Sequence, residues 1–534
     1  MTSDIAARTP SGPRGNRESH ARNYGPGFWI KLILLGLINA IGLYGIYLAL
    51  AAGHVGLTLM MIAIIVVVDL VYFLPSARAV PMKYLLPGLI FLFVYQIFVI
   101  GYTAYTAFTN YGDGHNSTKE VAIASILREH EVRVPDSPTT AISVVDDGES
   151  LGFAYVDPAG TAVVGYPDEP FSPAPEAEVS DARVTAVPDA QVLTFAEISN
   201  RGREVSDIRV PIGEDPQAGS MRTADGSRGF LAQSKMEYDE VSDTLTNTET
   251  GQVFTPNTHG NFESADGEII TPGWKVSVGW ENFTTIFTGG KLTGEFFGVL
   301  TWTVVFALGS VLTTFALGLA LAMLFNHPRM KGQRLYRALL ILPYAFPGFL
   351  SALVWSGMLN QSHGFVNNVL LFGANVPWLL HPFWAKVSIL GVNLWLGFPY
   401  MLLISMGALQ SIDPQVYEAA KIDGASPWRQ TRALTLPLLM ISTAPLLISS
   451  FAFNFNNFNL IYMLTRGGPK DLSSTTGSGV GATDILVTYT YKVAFSGGLQ
   501  QHGLASAISI LIFIIVATIS VLGFRQTKRL EEVV

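Results

Sequence analysis

Two apolar stretches of this chain carry hydrogen-bonding side chains at helical spacing. The two sets are Asn393, Gly397 and Tyr400, and Ser450, Asn454 and Asn457. Residues three and four apart share one face of a helix, so each set predicts a polar stripe on an otherwise apolar helix. An asparagine side chain both donates and accepts hydrogen bonds, as a sugar hydroxyl does. The two stripes therefore favour binding of a neutral polyhydroxyl solute; asparagines that merely join neighbouring helices are the alternative.

Enzymatic chemistry has no comparable set of residues in this sequence. Gly289-Gly290-Lys291 is followed by Leu292, which does not fit a phosphate-binding P-loop. Cysteine is absent and the nine histidines are scattered, so neither a thiol nucleophile nor a metal cluster is indicated. The sequence predicts no catalytic residue, no metal site and no cofactor bound by this chain.

The composition is that of a membrane protein. Of the 534 residues, 49% are hydrophobic and only 14% are charged. Apolar runs of about 20 residues, long enough to cross a bilayer as a helix, occur repeatedly. They lie near residues 28–53, 55–75, 84–108, 296–325, 337–358, 384–408, 437–460 and 504–524. The predicted fold is an all-α polytopic membrane protein with eight transmembrane helices, and both polar stripes fall within them.

The charge of the short connections predicts the side of the membrane that each one faces. Lys and Arg are retained in the cytoplasm, and they cluster after spans two, four, six and eight. Both termini are then cytoplasmic, with tails at 1–27 and 526–534. Arg466, Lys470 and Lys492, between spans seven and eight, fall on the opposite side. Asp69 in span two is expected to reach toward Arg78 in a structural role.

Residues 109–295, between spans three and four, form a long acidic stretch that is large enough to be a domain. The segments Leu151–Val156 and Thr161–Gly165 flank a turn sequence, as in a β-hairpin. Further along, Val205, Ile208, Val210 and Ile212 nearly alternate around an extended segment. We expect a β-rich extracytoplasmic domain inserted after helix three, and a disordered acidic loop is the alternative.

The connection between spans six and seven has the pattern of two short helices. Asp413-Pro414 is typical of a helix start, since the aspartate can cap it and proline is preset for the first turn. Gly424 permits a chain reversal, and Ser426-Pro427 begins a second helix. Leu436-Pro437 is expected to open the next span. Such a helix-turn-helix would let a soluble partner move two spans together.

This connection resembles the EAA loop of ABC importer permeases. The matching positions are Glu418, Ala419, Ala420, Gly424, Leu434, Leu436 and Pro437, with Asp423 beside the glycine. In that family the short helix fits a cleft on a separate ATPase, the alanines allow close approach and the glutamate faces basic residues. The resemblance implies that these residues couple the chain to an ATPase.

Other motifs extend the resemblance over nearly the whole chain. They are AFTNYGDG at 107–114, GWENF at 279–283, ILPYAFPGF at 341–349, NLWLGFPYM at 393–401 and SFAFNFNNF at 450–458. All are similar to the maltose-type permease subunit of carbohydrate ABC importers, which has eight spans and a folded outer domain. The resemblance implies a permease core at 296–525 with its coupling loop at 411–437. It also implies that both polar stripes, with Tyr344 and Leu396, line a sugar site in the membrane.

The implied function is half of a translocation path for maltose, maltodextrin or a related oligosaccharide in the bacterial cytoplasmic membrane. The implied partners are a second permease subunit, an ATPase dimer that binds ATP and Mg, an extracytoplasmic sugar-binding protein and the lipid bilayer, but no nucleic acid. A non-sugar solute stays open because many ABC importers share the EAA loop. A secondary transporter is disfavoured because the interiors of spans four to eight are almost free of ionisable residues. A membrane sensor would leave the EAA loop without a role.

Overall fold

The computed structural model describes residues 25–51, 53, 55–73, 80–135, 137–325, 330, 332–470, 479–496 and 500–531. Most of the expected N-terminal tail, the last three residues of the expected C-terminal tail and Arg78 lie outside this set. Within the chain there are two compact units, divided between Tyr102 and Thr103.

The first unit is made of apolar helices. These are α1 (Pro26–Ala51), α2 (Val55–Phe73), and a third helix from α3 (Val80–Leu92) through a π-helical turn (Phe93–Ile97) into α4 (Phe98–Thr106). The last four residues of α4 already belong to the second unit. Asn39 Nδ2 on α1 donates to both carboxylate oxygens of Asp69 on α2, at 3.0 and 3.2 Å. Asp69 therefore has a structural partner that the sequence did not predict.

The region between the third and fourth spans is rich in β-structure, as predicted. It contains the helices α5 (Lys119–Glu129), α6 (Phe195–Asn200) and α7 (Gly202–Asp207) and a 3-10 turn at Pro216–Ala218. Its strands are β1 Glu131–Arg133, β2 Thr140–Asp146, β3 Leu151–Val156, β4 Ala162–Tyr166, β5 Glu169–Pro173, β6 Glu178–Ser180, β7 Arg183–Ala186, β8 Gln191–Val192, β9 Val210–Pro211, β10 Ser220–Thr223, β11 Arg228–Ser234, β12 Met236–Asp239, β13 Thr244–Asn247, β14 Val253–Pro256, β15 Phe262–Ser264 and β16 Ile269–Ile270.

These strands form two main antiparallel sheets. The larger has the order β5-β4-β3-β2-β11-β10-β9, with β1 paired to β11 and β8 paired to β2. The smaller is a meander of β12 to β16, and β6 pairs with β7. The predicted hairpin is confirmed as β3 and β4. The expected extended segment around Val205 is partly wrong, because Val205 lies in α7 and is buried against the larger sheet.

The membrane core follows the outer domain and is helical. Its helices are α8 Glu281–Thr288, α9 Lys291–Phe325, α10 Gln333–Ile341, α11 Gly348–Met358, α12 Pro382–Ser411, α13 Pro414–Ile422, α14 Pro427–Gln430, α15 Leu436–Phe455, α16 Phe458–Leu464, α17 Leu486–Phe495 and α18 His502–Glu531. A 3-10 turn covers Leu342–Ala345, and π turns cover Val366–Leu370 and Thr431–Thr435. Among the described residues, seven helices are long and apolar enough to span a membrane, and the bent α10–α11 pair makes eight. The expected tail from residue 526 instead begins inside α18.

Two expected spans differ in shape from the prediction. Span five is bent by 91° between Ala345 and Gly348. Phe346 is extended there, with ψ 140°, because the following Pro347 disfavours a helical residue before it. In span seven, α15 begins at Leu436 as expected, but α14 and a π turn extend the helix in the N-terminal direction, so that it runs without a break from Pro427 to Phe455. The π turn just before Pro437 accommodates a proline that cannot donate a helical hydrogen bond.

Candidate functional site

The two polar stripes predicted from the sequence meet between α12 and α15. Asn393 Nδ2 donates to Asn454 Oδ1 at 2.9 Å, and Asn454 Nδ2 donates to the Ser450 carbonyl oxygen at 2.8 Å. Each asparagine side chain is buried, with 6% exposure. In this conformation the amides join two helices, which is the alternative role considered for them.

A pair of stacked tyrosines lies two helical turns from Asn393 along α12. The rings of Tyr344 and Tyr400 have centroids 6.2 Å apart and are inclined by 16°. Tyr344 occupies the 3-10 turn at the bend of span five, and both rings remain partly exposed. The pair therefore presents flat apolar surface together with phenolic hydroxyls. Leu396, one turn before Tyr400, is half-buried in a neighbouring apolar cluster.

Two of the predicted site residues also have structural roles. A Cβ atom on Gly397 would lie 2.9 Å from Thr314 Cγ2, so this glycine allows α12 to approach α9 closely. Asn457 lies just after the end of α15, and its Oδ1 accepts from the backbone N–H of Leu460 at 3.3 Å. Asn457 thus caps α16 and fixes the chain where α15 stops.

The connection between α12 and α15 forms the predicted pair of short helices. Asp413 Oδ1 accepts from the Gln415 N–H at 2.9 Å and caps α13. Gly424 has φ +74°, a left-handed conformation that reverses the chain. Ser426 Oγ then accepts from the Arg429 N–H at 3.3 Å and caps α14. The turn geometry read from the sequence is therefore present.

The coupling residues expected from the EAA resemblance mostly lie on the surface of this loop. Glu418, Ala419, Asp423, Gly424 and Pro437 are exposed, Leu434 and Leu436 are half-buried, and Ala420 is buried. Sequence reasoning missed two large apolar side chains on the same loop: Ile422 is 86% exposed and Trp428 is 73% exposed. The sequence could have indicated them, because both are large apolar residues in an otherwise polar connection between two spans. It also missed Tyr417, whose hydroxyl lies 3.1 Å from Thr435 Oγ1 and connects α13 to the π turn.

Lys492, one of the three basic residues between spans seven and eight, is paired inside the protein. Its Nζ lies 2.6 Å from Asp484 Oδ2, and both side chains are buried. Asp484 also accepts from Thr488 Oγ1 at 2.9 Å and from the Gly481 N–H at 2.7 Å. One of the three charges that count weakly against the predicted sidedness is therefore compensated by a buried carboxylate.

The AFTNYGDG and GWENF motifs contact each other where the outer domain joins the membrane core. Asn282 Nδ2 donates to the carbonyl oxygens of Ala107 at 2.9 Å and Thr109 at 2.8 Å. Asn110 Nδ2 donates to the Trp274 carbonyl oxygen at 3.1 Å, and its Oδ1 accepts from the Val276 N–H at 2.8 Å. Segments more than 160 residues apart thus form one hydrogen-bonded junction.

Comparison with known proteins identifies the family. Residues 314–532 match the binding-protein-dependent transport system inner membrane component family, and residues 90–168 match the N-terminal part of the TM subunit in PBP-dependent ABC transporters. The maltose/maltodextrin transport system permease protein MalF of Escherichia coli (strain K12) is 36% identical over 469 residues, covering 86% of this chain and 89% of that protein. The chain belongs to the MalF family. MalF of Vibrio cholerae serotype O1 is 35% identical over 514 residues, covering 94% of this chain and 95% of that protein.

Membership of the MalF family makes this chain a multi-pass permease subunit of an ABC importer in the inner membrane. Such a subunit is a non-catalytic component that operates together with other proteins of the transporter. A solved bacterial ABC transporter that imports alginate has 23% sequence identity and a TM-score of 0.40, covering 47% of this chain and 84% of that chain.

Proposed function

We propose that this chain forms half of the translocation path for maltose, a maltodextrin or a related neutral oligosaccharide. The observation that carries the proposal is that α12 holds both Asn393, bonded to Asn454, and Tyr400, stacked on Tyr344. A pyranose has apolar faces that suit a flat ring and hydroxyl edges that suit an amide. The names of the relatives, which are maltose and maltodextrin permeases, support the same solute class.

The Asn393–Asn454 hydrogen bond suggests how a sugar would be admitted. A hydroxyl can donate to Asn454 Oδ1 while it accepts from Asn393 Nδ2, so it can replace the amide–amide bond without leaving a buried group unpaired. A solute without a hydroxyl that separated the two side chains would leave Asn393 Nδ2 without an acceptor and Asn454 Oδ1 without a donor. In this proposal the amide pair favours hydroxylated solutes. The sugar site is completed by Ser450, Leu396 and Tyr344.

The coupling loop, residues 411–437, is proposed to bind a separate ATPase dimer on the cytoplasmic side. Exposed Ile422 and Trp428 supply apolar anchors, and Glu418 and Asp423 supply negative charge beside them. Large aromatic side chains with polar surroundings are typical of the residues that contribute most to an interface. ATP and Mg bind the ATPase, and this chain binds no cofactor.

The remaining partners and the orientation complete the proposal. A second permease subunit forms the other half of the path, and an extracytoplasmic sugar-binding protein docks on the outer domain at 109–295. Both termini face the cytoplasm. The acidic character of the outer domain favours a binding protein with a partly basic docking face and an association rate that falls with salt.

Reconstitution tests the solute assignment directly. The importer, assembled with its second permease and ATPase in proteoliposomes, should take up labelled maltose or maltotriose when ATP and the sugar-loaded binding protein are supplied. Tyr400→Phe, which keeps the ring, should retain more uptake than Tyr400→Ala. ATP-dependent uptake of a non-sugar solute, with no uptake of any gluco-oligosaccharide, would overturn the sugar assignment and leave the permease assignment in place.

A further inference from the structure

A cleft of about 580 Å³ lies between α16, α17 and α18, outside the polar stripes described above. A series of aromatic rings runs along it. Phe458 and Tyr491 have ring centroids 5.1 Å apart, Tyr491 and Phe495 are 5.2 Å apart, and Phe495 and His502 are 5.5 Å apart. The series continues to Tyr111, whose ring lies 5.0 Å from that of His502, at the base of the outer domain.

Uncharged hydrogen-bonding groups accompany these rings. Thr490, Ser506 and Asn456 line the same cleft. The Tyr491 hydroxyl and Ser506 Oγ make no hydrogen bond to any described residue, so both are available to a ligand. Within the described residues, His502 is the only titratable side chain on the lining besides Tyr491. The neighbouring Lys492 is already bonded to Asp484.

The chemistry of the lining favours one class of ligand. A charged solute would find no opposite charge there, and a purely apolar chain would leave the hydroxyls unused. A pyranose ring matches both kinds of group, since its C–H faces stack on aromatic rings and its edges carry hydroxyls. Several adjacent rings offer several overlapping positions, which suits a chain of sugar units rather than a single one.

The lining of the cleft includes residues from two places along the chain. Asn456 lies in the break after α15, between Asn454 of the amide pair and Asn457 in the sequence. His502 precedes Gly503, whose N–H donates to the Tyr111 carbonyl oxygen at 2.8 Å at the base of the outer domain. The cleft therefore combines residues that follow the amide pair in sequence with residues held to the outer domain.

We infer that this aromatic cleft is an outer binding track on which sugar units of a longer oligosaccharide stack while its leading end occupies the membrane site. The inference rests on the proposed sugar function, since it assigns a second part of the same path. It assigns Tyr491, Phe495 and Phe458 to solute stacking and Ser506 to hydrogen bonding.

Cysteine protection tests the track in the assembled importer. The chain contains no cysteine, so Ser506→Cys introduces a single, nearly isosteric thiol into the cleft, and Ser450→Cys does so in the candidate sugar site. Labelling by a membrane-impermeant maleimide would be measured in right-side-out vesicles without binding protein, with sugar-free binding protein, and with binding protein loaded with maltohexaose. Sugar loading should slow labelling several-fold at both positions relative to the sugar-free binding protein. Val241→Cys, at a 97% exposed outer-domain position, should label equally with the sugar-free and the loaded binding protein.

The outcomes separate the two proposals. Protection at Ser450→Cys without protection at Ser506→Cys removes the track and leaves the sugar function. Protection at Ser506→Cys by sugar-free binding protein, or absence of labelling under all conditions, means that a protein or lipid covers the cleft and also removes the track. If the sugar protects neither thiol, both proposals fail.

Uptake kinetics give a second measurement that does not depend on labelling. Tyr491→Leu and Phe495→Leu should raise the KM for maltohexaose by roughly two- to tenfold, the range expected when a stacking contact is lost, and should change the KM for maltose less. Phe513→Leu, at an exposed position on α18 outside the cleft, should leave both values unchanged. Equal effects on the short and the long sugar would overturn the track.

Discussion

The side-chain amide of Asn393 on α12 donates to the side-chain oxygen of Asn454 on α15 at 2.9 Å. Helical spacing placed each residue on a polar face, but it could not show that the two faces meet. Their meeting makes one buried amide pair at the contact of two spans, and it defines the first variant to test.

Asn454→Ala should lower sugar uptake while membrane insertion and ATPase binding persist. The change leaves the buried Asn393 donor without its partner, at a cost of about 1–3 kcal/mol in stability. The measurement is labelled-sugar uptake normalised to membrane abundance, with ATPase co-purification on the same samples. Ser449→Ala, on the exposed face of α15, is the matched control. Normal uptake by Asn454→Ala would remove the amide pair from the sugar site.

Substitutions in the coupling loop should impair uptake without preventing insertion. Glu418→Ala removes a charge-assisted contact worth about 1.5–3 kcal/mol if it is desolvated at the ATPase interface. Gly424→Val should do more damage, because it changes two things at once: the left-handed conformation costs roughly 1–2 kcal/mol for a residue with a side chain, and the added branched side chain stands on the surface proposed to fit the ATPase. Ser449→Ala, at an exposed position on α15 outside this loop, is again the control. Normal ATPase co-purification and transport by Gly424→Val would remove the docking role from this loop.

The buried Asp484–Lys492 pair should be sensitive to loss of either partner. Asp484→Asn leaves the Lys492 ammonium buried beside a neutral amide, and breaking such a pair typically costs about 3–5 kcal/mol. The double variant Asp484→Asn with Lys492→Met removes both charges, keeps a side-chain oxygen at position 484, and should recover much of the lost stability. Asp484→Asn and Lys492→Met are the two single variants of the cycle. Thermal unfolding of the unchanged protein, both single variants and the double variant in detergent gives the coupling energy between the two side chains by a double-mutant cycle. A double variant as unstable as the sum of the two single variants would show that the pair is not coupled.

The outer domain should show a pH-dependent stability that originates at Glu131. Burial raises the pKa of this carboxyl above its ordinary value, against the lowering effect of its hydrogen bond from Ser220 and of Arg209, Arg222 and Arg128. A raised folded pKa means a stabilising contribution that is present below the ordinary glutamate pKa and is lost as the pH rises through the folded value. Glu131→Gln should therefore gain in melting temperature relative to the unchanged protein as the pH rises above the ordinary glutamate pKa of about 4.3. If the difference in melting temperature between Glu131→Gln and the unchanged protein did not vary with pH, the pH dependence would not come from Glu131.

The sequence predicted the parts of this protein that depend on local patterns. Apolar run length gave the spans, and Asp413, Gly424 and Ser426 gave the turn geometry of the coupling loop, because caps and left-handed positions are set by neighbouring residues. The bend after Ala345 and the continuous helix through Pro437 were missed. A proline can either break a helix or be accommodated by a π turn, and packing with other elements decides between them.

Contacts that depend on packing were also beyond local patterns. Spacing placed Gly397 on a polar stripe, but it could not show that this glycine lies against Thr314 on α9. The capping role of Asn457 was not predicted, because the sequence did not show where α15 ends. Lys492 was counted as a loop charge although its partner Asp484 is only eight residues away, because the fold of the segment between them decides whether they meet.

The hydrogen-bonded junction that contains Asn110 and Asn282 bears on how the outer domain could evolve. The chain enters and leaves the outer domain at neighbouring points, where Thr109 pairs with Ser277. An insertion whose two ends meet in space can be exchanged, shortened or lost as a cassette while the helices on either side keep their places. The outer domain can therefore diversify without disturbing the helices that flank it.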